Sequence, residues 1–163
     1  MTPHKLRTTF DIIQQKQRQA TAIYDAYLLV KQTSQKADEL KALLNLGISQ
    51  YNAGLVDTAI DTFSKAIALE IDADAYHNRG TLFMQKRNVE FAMHDFTAAI
   101  MFCPQFPSPY INRALCLMSS LALNDLEYHR DYRDIKQFAK QDFEKAKILG
   151  SPLAAKHLSE IDW

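Results

Sequence analysis

Between Leu40 and Phe106 the small and apolar positions keep a helical spacing, and the pattern returns after 33 residues. Gly47, Ala59, Phe63 and Ala66 recur as Gly80, Ala92, Phe96 and Ala99, identical at all four places. Side chains at i, i+4 and i+7 share one face of a helix, so Ala59, Phe63 and Ala66 mark the buried face of one helix. The glycine twelve positions earlier belongs to a second helix that crosses it closely. The spacing predicts an antiparallel helical hairpin in each copy, with the Phe ring filling the room that the small residues leave. Turn signals fall where such a hairpin needs them: Asn52, Ala53 and Gly54 in the first copy, Arg87 and Asn88 in the second, where Gly or Asn supplies a left-handed helix ending. Pro104 then stops the helix predicted from Phe91 to Cys103, because proline cannot continue it.

A third copy opens at Pro107, with Tyr110, Asn112, Arg113 and Ala114 in the places of Tyr76, Asn78, Arg79 and Gly80. Ala139, Phe143 and Ala146 restore the Ala, Phe, Ala spacing, but 25 residues separate Ala114 from Ala139 where the complete copies use 12, so about 13 have been inserted. The insertion, near 124–136, lacks Gly and Pro and places Arg130 four residues from Asp134, which predicts a helix extension. Ser151 and Pro152 start a fresh amphipathic helix that caps the stack. At the other end, His4 to Gln35 contains neither Gly nor Pro, and Phe10, Ile13, Ile23, Tyr27 and Val30 form a broken helical stripe, which predicts one long helix or a bent helical pair. The expected organisation is an N-terminal helical segment (1–39) packing on the repeats, three helical hairpins (40–72, 73–106 and 107–151), and a capping helix (152–163).

These residues resemble the tetratricopeptide repeat, whose pattern runs bulky residue, Leu-Gly, Tyr, Ala, Phe, Ala and Pro over about 34 residues. With Gly47 at repeat position 8, the first copy supplies Leu43, Leu46, Gly47, Ala59, Phe63 and Ala66. The second supplies Tyr76, Gly80, Phe83, Ala92, Phe96, Ala99 and Pro104. The first copy departs at position 11, which is Gln50 with Tyr51 one place late, and in carrying Ile71 where the proline belongs. The resemblance implies an all-α fold, a right-handed α-solenoid of stacked antiparallel helix pairs.

Bulk properties narrow the function. The apolar content of 47% suits a layered helical core, and no run is long enough to cross a membrane. A net charge of zero and the absence of a Lys/Arg cluster argue against nucleic acid and against membrane surfaces. The N-terminal ten residues lack the apolar stretch of a secretory signal, and two cysteines, Cys103 and Cys116, point to free thiols in a reducing, cytoplasmic setting. Through Lys41 there are seven basic and four acidic residues, leaving twelve and fifteen, a +3 against −3 asymmetry compatible with the leading helix docking on the repeats.

Catalytic chemistry finds no motif. His4, His77, His94, His129 and His157 lack the i, i+4 spacing that presents two ligands to a metal, and the four glycines form neither a phosphate loop nor a nucleophile elbow. Adjacent His94 and Asp95 point about 100 degrees apart on a helix, so they read as solvated surface, as does the charged run Glu127 to Asp134. No cofactor, metal or enzymatic activity is expected; an enzyme would need a pocket between the insertion and the repeats that holds His77 or His129.

The resemblance implies that the first helix of each hairpin lines a concave groove and meets ligands through repeat positions 2, 5, 6, 9, 12 and 13. The first copy then contributes Lys41, Leu44, Asn45, Ile48, Tyr51 and Asn52. The second contributes Asp74, His77, Asn78, Thr81, Met84 and Gln85, and the third Ser108, Ile111, Asn112, Leu115, Met118 and Ser119. Asn45, Asn78 and Asn112 share one position, which predicts an amide ladder for a peptide backbone, unless they bond to neighbouring helices. The apolar members, from Leu44 to Met118, suit an amphipathic helix or apolar peptide of a partner protein, unless part of the stripe is core or the chain's own Phe10 to Val30 helix occupies it. Some family members clamp the terminal carboxylate of chaperone tails; here only Asn78 matches that clamp, with Leu44, Ile48, Ser108 and Asn112 in the remaining places. The expected function is a non-catalytic adaptor or scaffold. The alternatives are a structural protein that self-associates through the groove and Trp163, and a complex-assembly factor, since the layout is similar to that of photosystem assembly proteins.

Overall fold

The computed structural model describes the backbone of residues 3–122 and 132–161. Seven helices make up the described chain: α1 (Pro3–Asn52), α2 (Val56–Leu69), α3 (Ala73–Gln85), α4 (Val89–Phe102), α5 (Pro107–Ala122), α6 (Tyr132–Ile148) and α7 (Pro152–Glu160). The chain divides into two units, residues 1–41 and 42–163.

The first unit is helix alone. The backbone is a single helix from Pro3 to Asn52, so a bent pair is not formed and no break falls at residue 40, where the repeat pattern begins. The absence of Gly and Pro from this stretch removes both common interrupters. Tyr24, Leu28, Leu29 and Val30 are exposed, and the side chains of Phe10, Ile13, Ile23 and Tyr27 lie outside the described set. Thr33 turns its hydroxyl back on its own helix, donating to the Leu29 and Val30 carbonyls.

The second unit stacks the end of α1 with α2, then α3 with α4, α5 with α6, and finally α7 against α6. Its core is built from the recurring small and aromatic positions. Ala59, Ala66, Ala92, Ala99, Ala139 and Ala146 are fully buried, and Phe63, Phe96 and Phe143 are the largest side chains sealed from solvent. A β-carbon at Gly47 would come within 2.7 Å of the Phe63 ring, and one at Gly80 within 2.9 Å of the Phe96 ring, so the small residue and the aromatic are fitted to each other. The third hairpin places Ala114 at the same crossing, also fully buried. Aromatic pairs hold both ends of the second hairpin: Phe83 lies 5.2 Å from Phe91 near the turn, and Tyr76 stacks on Phe102 at 5.6 Å.

The turns follow the expected logic with one exchange of roles. Gly54 takes a left-handed φ of 77° after α1, but after α3 it is Arg87, with φ 59°, that takes the left-handed conformation, and not Asn88. Asn88 instead caps α4, accepting from Phe91 N at 3.4 Å, because an Asn side chain is more useful to the free amides of a helix start than to a helix end. Ser151 caps α7 in the same way, with Pro152 in its first turn. Of the predicted insertion, residues 132–136 form the first turn and more of α6, while 123–131 lie outside the described residues.

Candidate partner-binding groove

The helices that would line the groove are the end of α1, α3 and α5, the first member of each hairpin; α3 and α5 are in contact. Most of their apolar candidates pack on the hairpin cores. Leu44 packs on the cluster of Ala59, Phe63 and Leu82; Met84 on that of Ala92, Phe96 and Cys116; Leu115 and Met118 on the cluster that contains Phe143 and Ala154. Ile111, only 5% exposed, is part of the last cluster itself. Half-buried Leu44, Met84, Leu115 and Met118 and buried Ile111 thus pack on the hairpin cores, whereas Ile48 and Tyr51, 42% and 41% exposed, face solvent. Lys41, Asn45, Asn52, Asp74, Gln85 and Ser119 are exposed, and Asn78, Thr81, Ser108 and Asn112 are half-buried. The polar part of the lining is mostly amide and hydroxyl, with one cation, Lys41, and one carboxylate, Asp74.

The amide ladder is also not uniform. Asn112 on α5 donates through Nδ2 to Thr81 Oγ1 on α3 at 3.3 Å, and Thr81 in turn donates to the His77 carbonyl at 2.9 Å. One rung is thus engaged between neighbouring helices, leaving its carbonyl oxygen as an acceptor. His77 turns inward: its ring sits 5.0 Å edge-on to Phe106 and 5.9 Å from Phe96, and its buried Nδ1 has no hydrogen-bond partner. Burial pushes its pKa down to about 4, so the imidazole is neutral near pH 7. Asp74, at the start of α3, has its carboxyl raised by partial burial and then by the charge of Asp72, which caps the same helix through Ala75 N at 2.8 Å. Burial pushes the Cys116 thiol up to about 11, so it remains protonated; the described residues hold no cluster of three His, Cys, Asp or Glu side chains that would suit a metal.

A second arrangement, which the sequence reading did not find, recurs behind the groove. Arg79 on α3 makes a two-pronged bond to Asp95 on α4, Nε to Oδ2 and Nη2 to Oδ1, both at 2.8 Å, and its Nη1 donates to Ser64 Oγ on α2 at 3.0 Å. Arg113 on α5 does the same with Asp142 on α6, again at 2.8 Å twice, and with Thr97 on α4 at 3.1 Å. Each guanidinium also lies over the tyrosine three residues before it, Tyr76 at 5.7 Å and Tyr110 at 5.9 Å. The carboxylate bond raises both arginine pKa values above their ordinary range. Asp95, at 1% exposure, is accordingly not solvated surface: a charged carboxylate is tolerated there because an arginine on the adjacent helix meets both of its oxygens, while His94 beside it stays exposed. A signal was present in the chain. Both arginines precede the small residue of the helix crossing, both aspartates precede the core phenylalanine, and the hydroxyls follow the phenylalanine of the hairpin before.

Comparison with known proteins identifies the fold. No protein-family model matches the sequence. Tetratricopeptide repeat protein 36 of Mus musculus is 33% identical over 119 residues, covering 72% of this chain and 59% of that protein. The second TPR domain of human RPAP3, solved in complex with an HSP70 peptide, superposes with a TM-score of 0.62 at 23% identity, covering 77% of this chain and 96% of that one. The chain has the tetratricopeptide repeat fold. Its α-solenoid is shared with the Yersinia enterocolitica chaperone SycD in complex with a peptide of the translocator YopD, at a TM-score of 0.62 and 17% identity over 75% of this chain and 91% of that one. DnaJ homolog subfamily C member 7 of Mus musculus is 26% identical over 132 residues, 78% of this chain and 26% of that protein, so this tetratricopeptide chain spans only part of either relative.

Proposed function

We propose that this tetratricopeptide protein is a non-catalytic adaptor whose groove holds an extended segment of a partner protein. The observation that carries the reading is the packing of the lining: five apolar members lie against the hairpin cores, and the exposed polar members are Asn45, Asn52, Gln85 and Ser119 with the charged Lys41 and Asp74, beside half-buried Asn78 and Thr81 and exposed Ile48 and Tyr51. Side-chain amides bond a peptide backbone as donor and acceptor at once, which favours an extended ligand over an amphipathic helix. Peptide-bound structures of RPAP3 and SycD support a peptide ligand by analogy of fold. The ligand is not an acidic chaperone tail, because Leu44, Ile48, Ser108 and Asn112 replace the cationic and amide groups that would hold its carboxylates. The working compartment in this reading is the cytoplasm; no helix among the described residues is long and apolar enough to cross a membrane.

Capture of partners with the intact chain, analysed by mass spectrometry and repeated with Asn45→Ala and Asn78→Ala, tests the reading. Loss of the captured set in the double variant, with helicity unchanged, is the expected result; an undiminished set would remove the groove from the mechanism. A second reading is self-association, favoured by exposed Tyr24, Leu28, Leu29 and Val30 on α1. Light scattering across a concentration series separates it: a mass that doubles with concentration supports a dimer, and a constant monomer mass supports the adaptor. Trp163, the other residue assigned to that contact, lies outside the described residues.

A further inference from the structure

We infer that Arg79 and Arg113 are positioning residues that set the angle between successive hairpins, and with it the spacing of the groove side chains a ligand would span. The functional half of this statement rests on the groove reading above; the geometric half does not.

A guanidinium fixes direction as well as charge. It is planar and presents its donors as a rigid fork, so a carboxylate that takes two of them determines the orientation of the whole group. Asp95 and Asp142 do this from within the same hairpin, and the tyrosine ring three residues before each arginine limits rotation out of that plane. The remaining Nη1 then points in one direction, and in both cases it meets a hydroxyl on the second helix of the preceding hairpin, Ser64 or Thr97. A group held rigidly to one hairpin and bonded to the next constrains the joint between them.

The insertion provides an internal control. Arg79 and Asp95 are 16 residues apart, whereas Arg113 and Asp142 are 29 apart, a difference of 13 that equals the excess between Ala114 and Ala139. The same two 2.8 Å bonds form across both separations, so the geometry is kept while the connecting chain is not. The first hairpin, which has no preceding hairpin in the described fold, lacks the device: Leu46 stands where the arginine would be, and Thr62, bonded to Gln50 at 2.7 Å, where the aspartate would be.

The test measures geometry without any ligand. Spin labels carried on p-acetylphenylalanine at Lys65 on α2 and Lys147 on α6, both exposed, report the distance across two hairpin joints by pulsed electron resonance, with the native cysteines untouched. Ser64→Ala with Thr97→Val removes the bonds between hairpins, together with the bond from the Ser64 hydroxyl to the Ile60 carbonyl within α2, and keeps both buried ion pairs. The expected result is a shifted and broadened distance distribution with an unchanged helical circular dichroism signal, a similar or larger change for Arg79→Lys, whose ammonium cannot make the fork, and no change for Ser159→Ala on α7. A distribution in the Ser64→Ala, Thr97→Val chain that superimposes on the parent's overturns the inference. If the positioning holds but Asn45 and Asn78 prove dispensable for partner capture, it is the groove reading that falls.

Discussion

His77 should make this fold acid-sensitive, to an extent that follows from its surroundings. Its imidazole lies against Phe96 and Phe106 with an unbonded Nδ1, and its pKa falls from 6.5 to about 4. Above pH 6.5 neither the folded nor the unfolded chain holds a proton at this residue, and its contribution to stability is complete. As pH drops below 6.5 the unfolded chain takes up a proton that the folded one refuses, so stability declines until the folded imidazole also titrates near pH 4, below which this residue causes no further loss. At about 1.4 kcal/mol per unit, the full loss is about 3 kcal/mol, of which about 2 has gone by pH 5. The replacement His77→Leu removes the titration and the unbonded nitrogen together. Urea unfolding followed by circular dichroism at pH 7.5 and pH 5 isolates the effect, because the carboxylates shared by both chains contribute equally to both losses. The parent should lose about 2 kcal/mol more than the variant between the two pH values, and the variant should be the more stable by about 1 kcal/mol at pH 7.5 through relief of the buried nitrogen. Parallel losses in the two chains would show that the ring is solvated in the folded state and refute the reasoning.

Other substitutions probe the remaining features. Asp95→Ala should cost about 3 to 5 kcal/mol by leaving Arg79 without its buried partner, while Asp57→Ala, which removes the exposed pair with Lys86, should stay below about 0.5 kcal/mol in the same denaturation assay. Phe63→Ala should lose about 3 to 5 kcal/mol by opening a cavity between α1 and α2. Replacing Arg87 by glycine relieves a left-handed backbone angle and should raise the melting temperature, with a gain of about 0.5 to 1 kcal/mol. A peptide with an acidic chaperone-type tail should show no saturable heat in titration calorimetry; tight, salt-sensitive binding would contradict the assignment of Leu44, Ile48, Ser108 and Asn112.

The helical hairpins were legible in the chain because steric fit leaves a strong trace: Gly47 against Phe63 and Gly80 against Phe96 admit few alternatives, so their spacing encodes the crossing directly. Burial on the outer face of the first helices was less legible. Leu115 and Ile48 share repeat position 9 and are both aliphatic, yet one packs on the core and the other faces solvent, because the C-terminal cluster around Phe143 and Ala154 receives the first and nothing equivalent covers the second among the described residues. Neighbour identity, which periodicity within one helix does not carry, decides that difference. Asp95 illustrates the same limit for charge: adjacency to His94 pointed outward, whereas the residue that governs it is sixteen positions back on another helix. The long N-terminal helix was the simplest case, since an uninterrupted stretch without Gly or Pro from His4 to Gln35 continues into the first repeat with no stop signal at residue 40.

The tolerance of the Arg113 and Asp142 pair to thirteen additional residues has a practical side. If the contour between those two anchors is free to vary while the anchors themselves do not move, additional sequence is accommodated between α5 and α6. Epitopes, reporter peptides or a second recognition element could be spliced there by an engineer, as mutation has already lengthened that connection, without retuning the rest of the superhelix.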